Sequence, residues 1–434
     1  MLNQGIQPRV PLWYPKEGVI QLYQLPQVAD TDRDSSTLDH ALDLIVQSGL
    51  KGLSLRNLAQ KAGISPSLLN YRFGSRDALA ERTFEHACQR NTKLWNRRRE
   101  AFVREQMHPD DIPAIAYGVV MDTTVAGYRE AIAAWICQTE AARHGHYREI
   151  ARRWHGECIG FWRDILSSAG LDPELAPGLS AALTSACRIG LLAGQAPVAS
   201  AWLYDTVQRI TDRLLRRPPL RSGDSPWRRQ TEIAFLSRSP KADGAGTSTA
   251  DRIIRAASQI IIRSGPDALT HRAIAEQAGV SLSSTTHHFA SLDDIFLNTF
   301  SAIYGRISQE TIDATVSLRA KSLEGLLDML TPKLRDGAEN RDQEVMAMDE
   351  IMLAAARRPE TQPIAIGLFA MVGRTSTIML DAIGDKRVET DRLDGQILRF
   401  ILTGLQEQMA TGDGDRDDAW FREQVARTAR HFYC

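Results

Sequence analysis

The sequence predicts an all-α fold in which one unit, a three-helix head followed by a helical bundle, is present twice. Three observations predict it. A helix, a tight turn and a second helix can be read in Leu53–Phe73 and again in Leu269–Phe289; Gly63 and Gly279 lie 216 positions apart, as do Phe73 and Phe289. Ahead of each copy, apolar residues recur at helical spacing: Leu38, Ala41, Leu42, Ile45 and Val46 in the first, Ile253, Ala257, Ile260 and Ile261 in the second. At 43% hydrophobic residues over 434 positions, the chain has enough apolar surface for real cores. The copies align without a gap, which is the mark of a duplicated unit.

Each element of the head has a local reason. Ser54 is placed to N-cap a short helix whose inner face carries Leu55, Leu58 and Ala59. Ala62, Gly63 and Ile64 turn the chain, and Gly63 supplies a positive φ at little steric cost. Ser65 caps the next helix, with Pro66 at its first position, where no amide donor is required. Thr270, Gly279 and Ser281 repeat this logic. Ser75–Leu79 and Ser291–Ile295 then cap a long fourth helix. Two short helices joined by a Gly-centred turn are a helix-turn-helix, whose second helix fits a major groove. Four elements in register, present twice, resemble the N-terminal DNA-binding domain of the tetracycline-repressor (TetR) family.

A formal net charge of −1 confines any nucleic-acid footprint to a local patch. Five widely spaced cysteines, Cys88, Cys137, Cys158, Cys187 and Cys434, contain no Cys-x-x-Cys pair and read as reduced, buried thiols. No run of about 18 apolar residues is present, so no membrane span is expected, and the N-terminus lacks a signal pattern. A cytoplasmic protein follows from these readings.

In order, residues 1–34 form a Pro-interrupted arm, expected to pack on a neighbouring domain because Arg9, Lys16 and Arg33 are too few to hold DNA. Residues 35–84 are the first head and 85–217 the first helical regulatory domain, with a last helix starting at Ser200–Trp202. Residues 218–249 read as a linker, part of which docks through Trp227 and the stretch 233–236. Residues 250–300 are the second head and 301–434 the second regulatory domain, with helices near 292–318, 322–335, 341–357, 361–383, 390–410 and 417–432.

The resemblance implies a dimeric, ligand-responsive transcription factor, most often a repressor, acting on a double-stranded DNA operator. In such proteins the last two long helices form a four-helix interface and the remaining ones enclose a small-inducer pocket. Carried over, the interface helices are 173–195 with 199–217 and 390–411 with 416–433, so the halves can pair within one chain as a pseudo-dimer. Further pairing into a homodimer stays open. The two recognition helices differ, so the half-sites, about 34–36 Å apart, need not be palindromic.

In the first head the resemblance assigns Ser54, Arg56, Ser65, Pro66, Ser67, Leu68, Asn70, Tyr71, Arg72 and Arg76 to DNA. Asn70 stands where family members usually have a phosphate-touching Tyr, and Arg76 matches the basic residue at the start of the fourth helix. The second head offers Thr270, His271, Arg272, Ser281, Leu282, Ser283, Ser284, Thr286, His287 and His288. It departs more: Thr286 replaces the Tyr and Leu292 the basic residue. Each lost phosphate contact lowers affinity and flattens the salt dependence by about one unit. Two readings follow: a second head that binds more weakly, or reads T-methyl groups through Leu282 and Thr286, and one that serves only as a dimer half.

Tyr117, Trp135, Trp154 and Trp162 in the first half, and Met348, Met352 and Phe369 in the second, are candidates to line a pocket for an apolar or aromatic effector, with core packing as the alternative. No cofactor is expected. His144, His146 and Cys158, or His287 and His288, lack the spacing of a metal site. No Gly-rich phosphate loop, Gly-x-Ser-x-Gly or paired carboxylates point to an enzyme. The reading from another class is a sensor or protein-interaction module whose heads have lost DNA.

Overall fold

The computed structural model describes residues 33–194, 196–237, 248–316, 322–328, 341–357, 362–384, 386–412, 414 and 416–434. The arm apart from its last two residues, Met329 and part of the linker lie outside these residues, as do the side chains of His144 and Met346. Among the described residues the regular elements are all helical.

The first head consists of α1 (Arg33–Gly52), α2 (Leu55–Ala62) and α3 (Pro66–Phe73). Its caps are those the sequence indicates. Ser54 Oγ accepts from the Asn57 amide at 3.0 Å, Ser65 Oγ from the Leu68 amide at 3.2 Å, and Gly63 takes the left-handed conformation at φ 68°. Leu38, Leu42, Ile45, Leu58, Leu69 and Phe73 close its core. The long α4 (Arg76–Phe102) leaves the head and joins α5 (Ile112–Thr124), α6 (Tyr128–His144) and α7 (Arg148–Ser168). Then come α8 (Ala176–Ala193) and α9 (Pro197–Leu214). The last of these starts at Pro197, ahead of the expected Ser200, because a proline is well placed in a helix's first turn.

The linker contains α10 (Pro226–Leu236), which docks through only part of the expected set, Phe235 of the stretch 233–236. Trp227, Ile233 and Leu236 stay on its open side, at 37%, 56% and 42% exposure. Arg228, Glu232 and Phe235 share the inner face at i, i+4 and i+7. Arg228 donates to Ala370 O at 2.6 Å and to Glu232 at 2.8 Å. Phe235 packs so closely on Gly367 that a Cβ there would come within 2.4 Å of its ring.

The second head repeats the first with α11 (Thr249–Ser264), α12 (His271–Ala278) and α13 (Leu282–His288). Thr270 caps α12 by accepting from the Ala273 amide, Ser281 caps α13 by accepting from the Ser284 amide, and Gly279 turns the chain at φ 63°. The heads meet where Lys51 Nζ donates to Ser264 O at 2.7 Å. The second bundle is α14 (Leu292–Val316), α15 (Arg341–Ala356), α16 (Gln362–Met371), α17 (Arg374–Ala382), α18 (Arg392–Ala410) and α19 (Asp418–Tyr433). The single helix expected over 361–383 is two, because the chain takes φ 91° at Gly373.

The halves join through α8 and α9 against α18 and α19. Small residues let the axes approach: a Cβ on Gly404 would stand 2.6 Å from that of Ala181, and one on Gly178 would strike Thr428. Trp202 is fully buried and donates to Gln396 Oε1 at 3.1 Å. The stretches 173–193 and 362–382 are long and apolar enough to cross a bilayer by composition. The first has 94% of its window buried within the protein, and the second is broken at Gly373 into helices of about 15 Å, half a bilayer core.

Candidate nucleic-acid interface and ligand cavity

On α3, Leu69 and Phe73 anchor the inner face, and Ser65, Pro66, Ser67, Leu68, Asn70 and Tyr71 stand outward, Tyr71 at 89% exposure. Arg56 is exposed on α2, and the hydroxyl protons of the capping Ser54 and Ser65 remain available to an acceptor. Two first-head residues also make contacts within the protein. Arg76 does not stand free: its Nε donates to Leu53 O at 2.7 Å and its Nη2 to Leu50 O. Gly49, at φ 67°, breaks the end of α1, and the guanidinium braces the chain that follows, sharing Leu50 O with the Leu53 amide. Arg72 is half-buried and paired with Asp34 at 3.0 Å.

On α13, Thr285 is the buried anchor where α3 has Leu69, while Leu282, Ser283, Thr286, His287 and His288 are exposed, Leu282 at 54%. Ser281 is exposed with its Oγ 2.9 Å from Ser283 Oγ; Ser284 is half-buried. Thr270 and Arg272 are exposed at the start of α12. His271 is not: it takes the position of the core-packing Leu55, and its Nδ1 is enclosed. Leu292 puts no guanidinium where Arg76 sits. Both heads close this junction with a backbone bond, Leu53 N to Leu50 O and Leu269 N to Pro266 O, and the second has a 3₁₀ turn at Pro266–Ala268.

The second feature is a cavity of about 90 Å³ in the first bundle. Trp135, Trp154 and Trp162 line it as expected, joined by Trp95, Asn91, Arg98, Gln138, His155, Cys158 and Arg188. Tyr117 is not in its wall; it packs edge-on to Tyr204 at 5.3 Å. Nor are Met348, Met352 and Phe369, which are buried core: Phe369 stacks on Phe400 at 5.4 Å, and the two methionines lie on α15, packed against α6 and α8. These three second-half residues pack at the junction between the bundles.

The polar wall was not legible from pattern. Arg98 binds Asp122 at 2.7 Å. Arg188 lies over the Trp135 ring at 4.6 Å and reaches out of its own half to Glu407 at 2.5 Å and Asp349 at 3.6 Å. Burial opposes its charge, but Glu407 and Asp349 outweigh that and hold it above the ordinary arginine value. Burial, aided by Glu407, pushes Asp349 up to about 6 against the pull of Arg188 and Arg399. Burial brings His155 down to about 4, leaving a neutral ring, and raises the Cys158 and Cys187 thiols, the latter to about 12. The signal for Arg188 was in plain view: a lone charge in the apolar helix 176–193.

A profile of the tetR family of bacterial regulatory proteins matches the chain twice, at residues 38–83 and 253–299. The chain belongs to the TetR family. Its two matched segments are the two heads described above, so this is a tandem TetR protein. Among known TetR-type proteins, the HTH-type transcriptional regulator BetI of Paraburkholderia phytofirmans is 36% identical over 69 residues, 16% of this chain and 35% of that protein. The match thus spans about a third of that relative's length. BetI of Burkholderia mallei is 27% identical over 173 residues, 38% of this chain and 84% of that protein. A crystal structure of the multidrug binding protein EbrR complexed with ethidium aligns at 27% identity over 42% of this chain and 99% of its own, with a TM-score of 0.34.

Proposed function

We propose that this tandem TetR protein is a sequence-specific DNA-binding transcriptional regulator, a repressor relieved by a small molecule, whose two halves act as an intrachain pseudo-dimer. The observation that carries the reading is the pair of outward-facing recognition helices, α3 and α13, held by one packed junction of α8 and α9 with α18 and α19. Phosphate contacts hold the duplex and groove-facing side chains read bases. The relatives' description as transcriptional regulators supports this.

The junction favours intrachain pairing because its charges are divided. Arg188, Arg209 and Arg213 come from the first half; Asp349, Asp391, Asp394 and Glu407 come from the second. Pairing two first halves would set arginine against arginine. A ligand acts by binding one arrangement of the heads better than another. Mobility shift with DNA flanking the protein's own gene, joined to light scattering, tests the reading: one chain per operator duplex is expected. Absence of a salt-sensitive complex at low ionic strength removes it.

A second reading, in which only the first head reads DNA, draws on the inward His271 and on Leu292. It predicts that changes on α13 leave the preferred sequence untouched.

A further inference from the structure

The cavity of the first bundle has polar groups that the protein leaves incomplete, and they specify a ligand. Four indoles stand around it. Asn91, with its amide oxygen turned toward them, accepts from Trp95 Nε1 at 3.1 Å and Trp154 Nε1 at 3.0 Å. Trp162 shares a hydrogen bond with Cys158. Trp135 differs: it is 3% exposed, and among the described residues its N–H has no acceptor. His155, 5% exposed in the same wall, likewise has an unpartnered Nε2. A buried donor without an acceptor is unfavourable unless something that enters the site supplies one.

The charges in the wall say what that something is not. Arg98 is matched by Asp122, and Arg188 by Glu407 and Asp349 from behind. His155 is neutral, as are the thiols of Cys158 and Cys187. The carboxylates sit outside the lining, so no uncompensated charge faces the space. A charged ligand would lose its water there and gain no counter-ion. Flat indole walls favour a ring.

We propose that this cavity takes a flat, uncharged aromatic molecule that presents a carbonyl or hydroxyl oxygen to the Trp135 N–H. The proposal rests on the ligand-responsive reading above and names the chemistry of its ligand. Four probes of near-equal shape separate the terms: acetophenone, ethylbenzene, benzoate and benzylammonium, each measured by equilibrium dialysis against the full chain. Acetophenone is expected to bind roughly tenfold tighter than each of the other three, the scale of one buried hydrogen bond made or lost. In Trp135→Phe, which keeps an aromatic face and removes the N–H, acetophenone loses its advantage and falls to the level of ethylbenzene.

Tighter binding of benzoate or benzylammonium overturns the proposal. So does equal binding of acetophenone and ethylbenzene, failure of all four to bind, or an equal loss of acetophenone and ethylbenzene in the variant. Mobility shift on the same preparation keeps the two readings apart. Selective acetophenone binding without a DNA complex upholds the cavity chemistry and removes the regulator. A DNA complex with no selective probe binding does the reverse.

Discussion

The two halves share a frame and divide its chemistry. Both heads use a hydroxyl cap, a left-handed glycine and a second hydroxyl cap at matching positions. Those features serve backbone groups that any copy of the turn must satisfy. The contact residues have drifted: α3 offers Asn70 and an almost fully exposed Tyr71, while α13 offers Thr286 and His287 at the same places. Below the heads the drift is complementary. The first bundle keeps a cavity and supplies the arginines of the junction; the second supplies the carboxylates. At positions 216 apart, Arg188 corresponds to Gly404 and Gly178 to Asp394, so where one copy has a charge the other has a glycine. Once fused, two copies no longer have to fit themselves, only each other.

The sharpest way to break this comparison is at Asp394. It is fully buried between Arg209 (2.7 Å) and Arg213 (2.8 Å), and it also caps α18. Asp394→Asn leaves two buried guanidinium groups with less counter-charge, and a loss of about 3–5 kcal/mol in urea unfolding is expected. A loss below about 1 kcal/mol would show that charge division is not what holds the halves together.

Next in size is a pair of opposing pH effects, one from each half. The value of His155, lowered to about 4 from 6.5 by burial, means that its neutral form stabilises the fold above about pH 6.5 and that this contribution is lost as pH falls toward 4. Asp349 runs the other way, since its value is raised to about 6, so its contribution is present at low pH and fades as pH rises through 6. The two oppose one another, and comparison with His155→Phe isolates the first. The gap in unfolding free energy between wild type and variant should change by up to about 3 kcal/mol between pH 7 and 4. A pH-independent gap would place His155 in contact with solvent.

Smaller effects compare the heads directly. Ser54→Ala and Thr270→Ala each remove an N-cap and should cost about 1 kcal/mol in thermal unfolding. Equal losses are expected, because the two caps have nearly the same geometry, 3.0 and 3.1 Å. Finally, Arg56→Ala and Arg272→Ala are each expected to reduce the salt dependence of DNA binding by about one unit. An effect of Arg56 alone would leave the second head as a dimer half.

The sequence by itself determined the duplicated heads, their caps and turns, and the main helices of both bundles. Caps, glycine turns and the 3.6-residue period are set by groups a few residues apart, so they can be read along the chain. Tertiary structure alone decided the rest. It bound the exposed Arg76 to the carbonyls of Leu50 and Leu53, and it docked α10 through Arg228 as well as Phe235 while leaving Trp227 exposed. It placed Met348, Met352 and Phe369 in the junction, gave the cavity its unpartnered Trp135, and joined Arg188 to carboxylates from the other half. Those outcomes depend on which surfaces meet across hundreds of residues, and a buried charge or donor is satisfied by whatever folding brings beside it, which spacing along the chain does not encode.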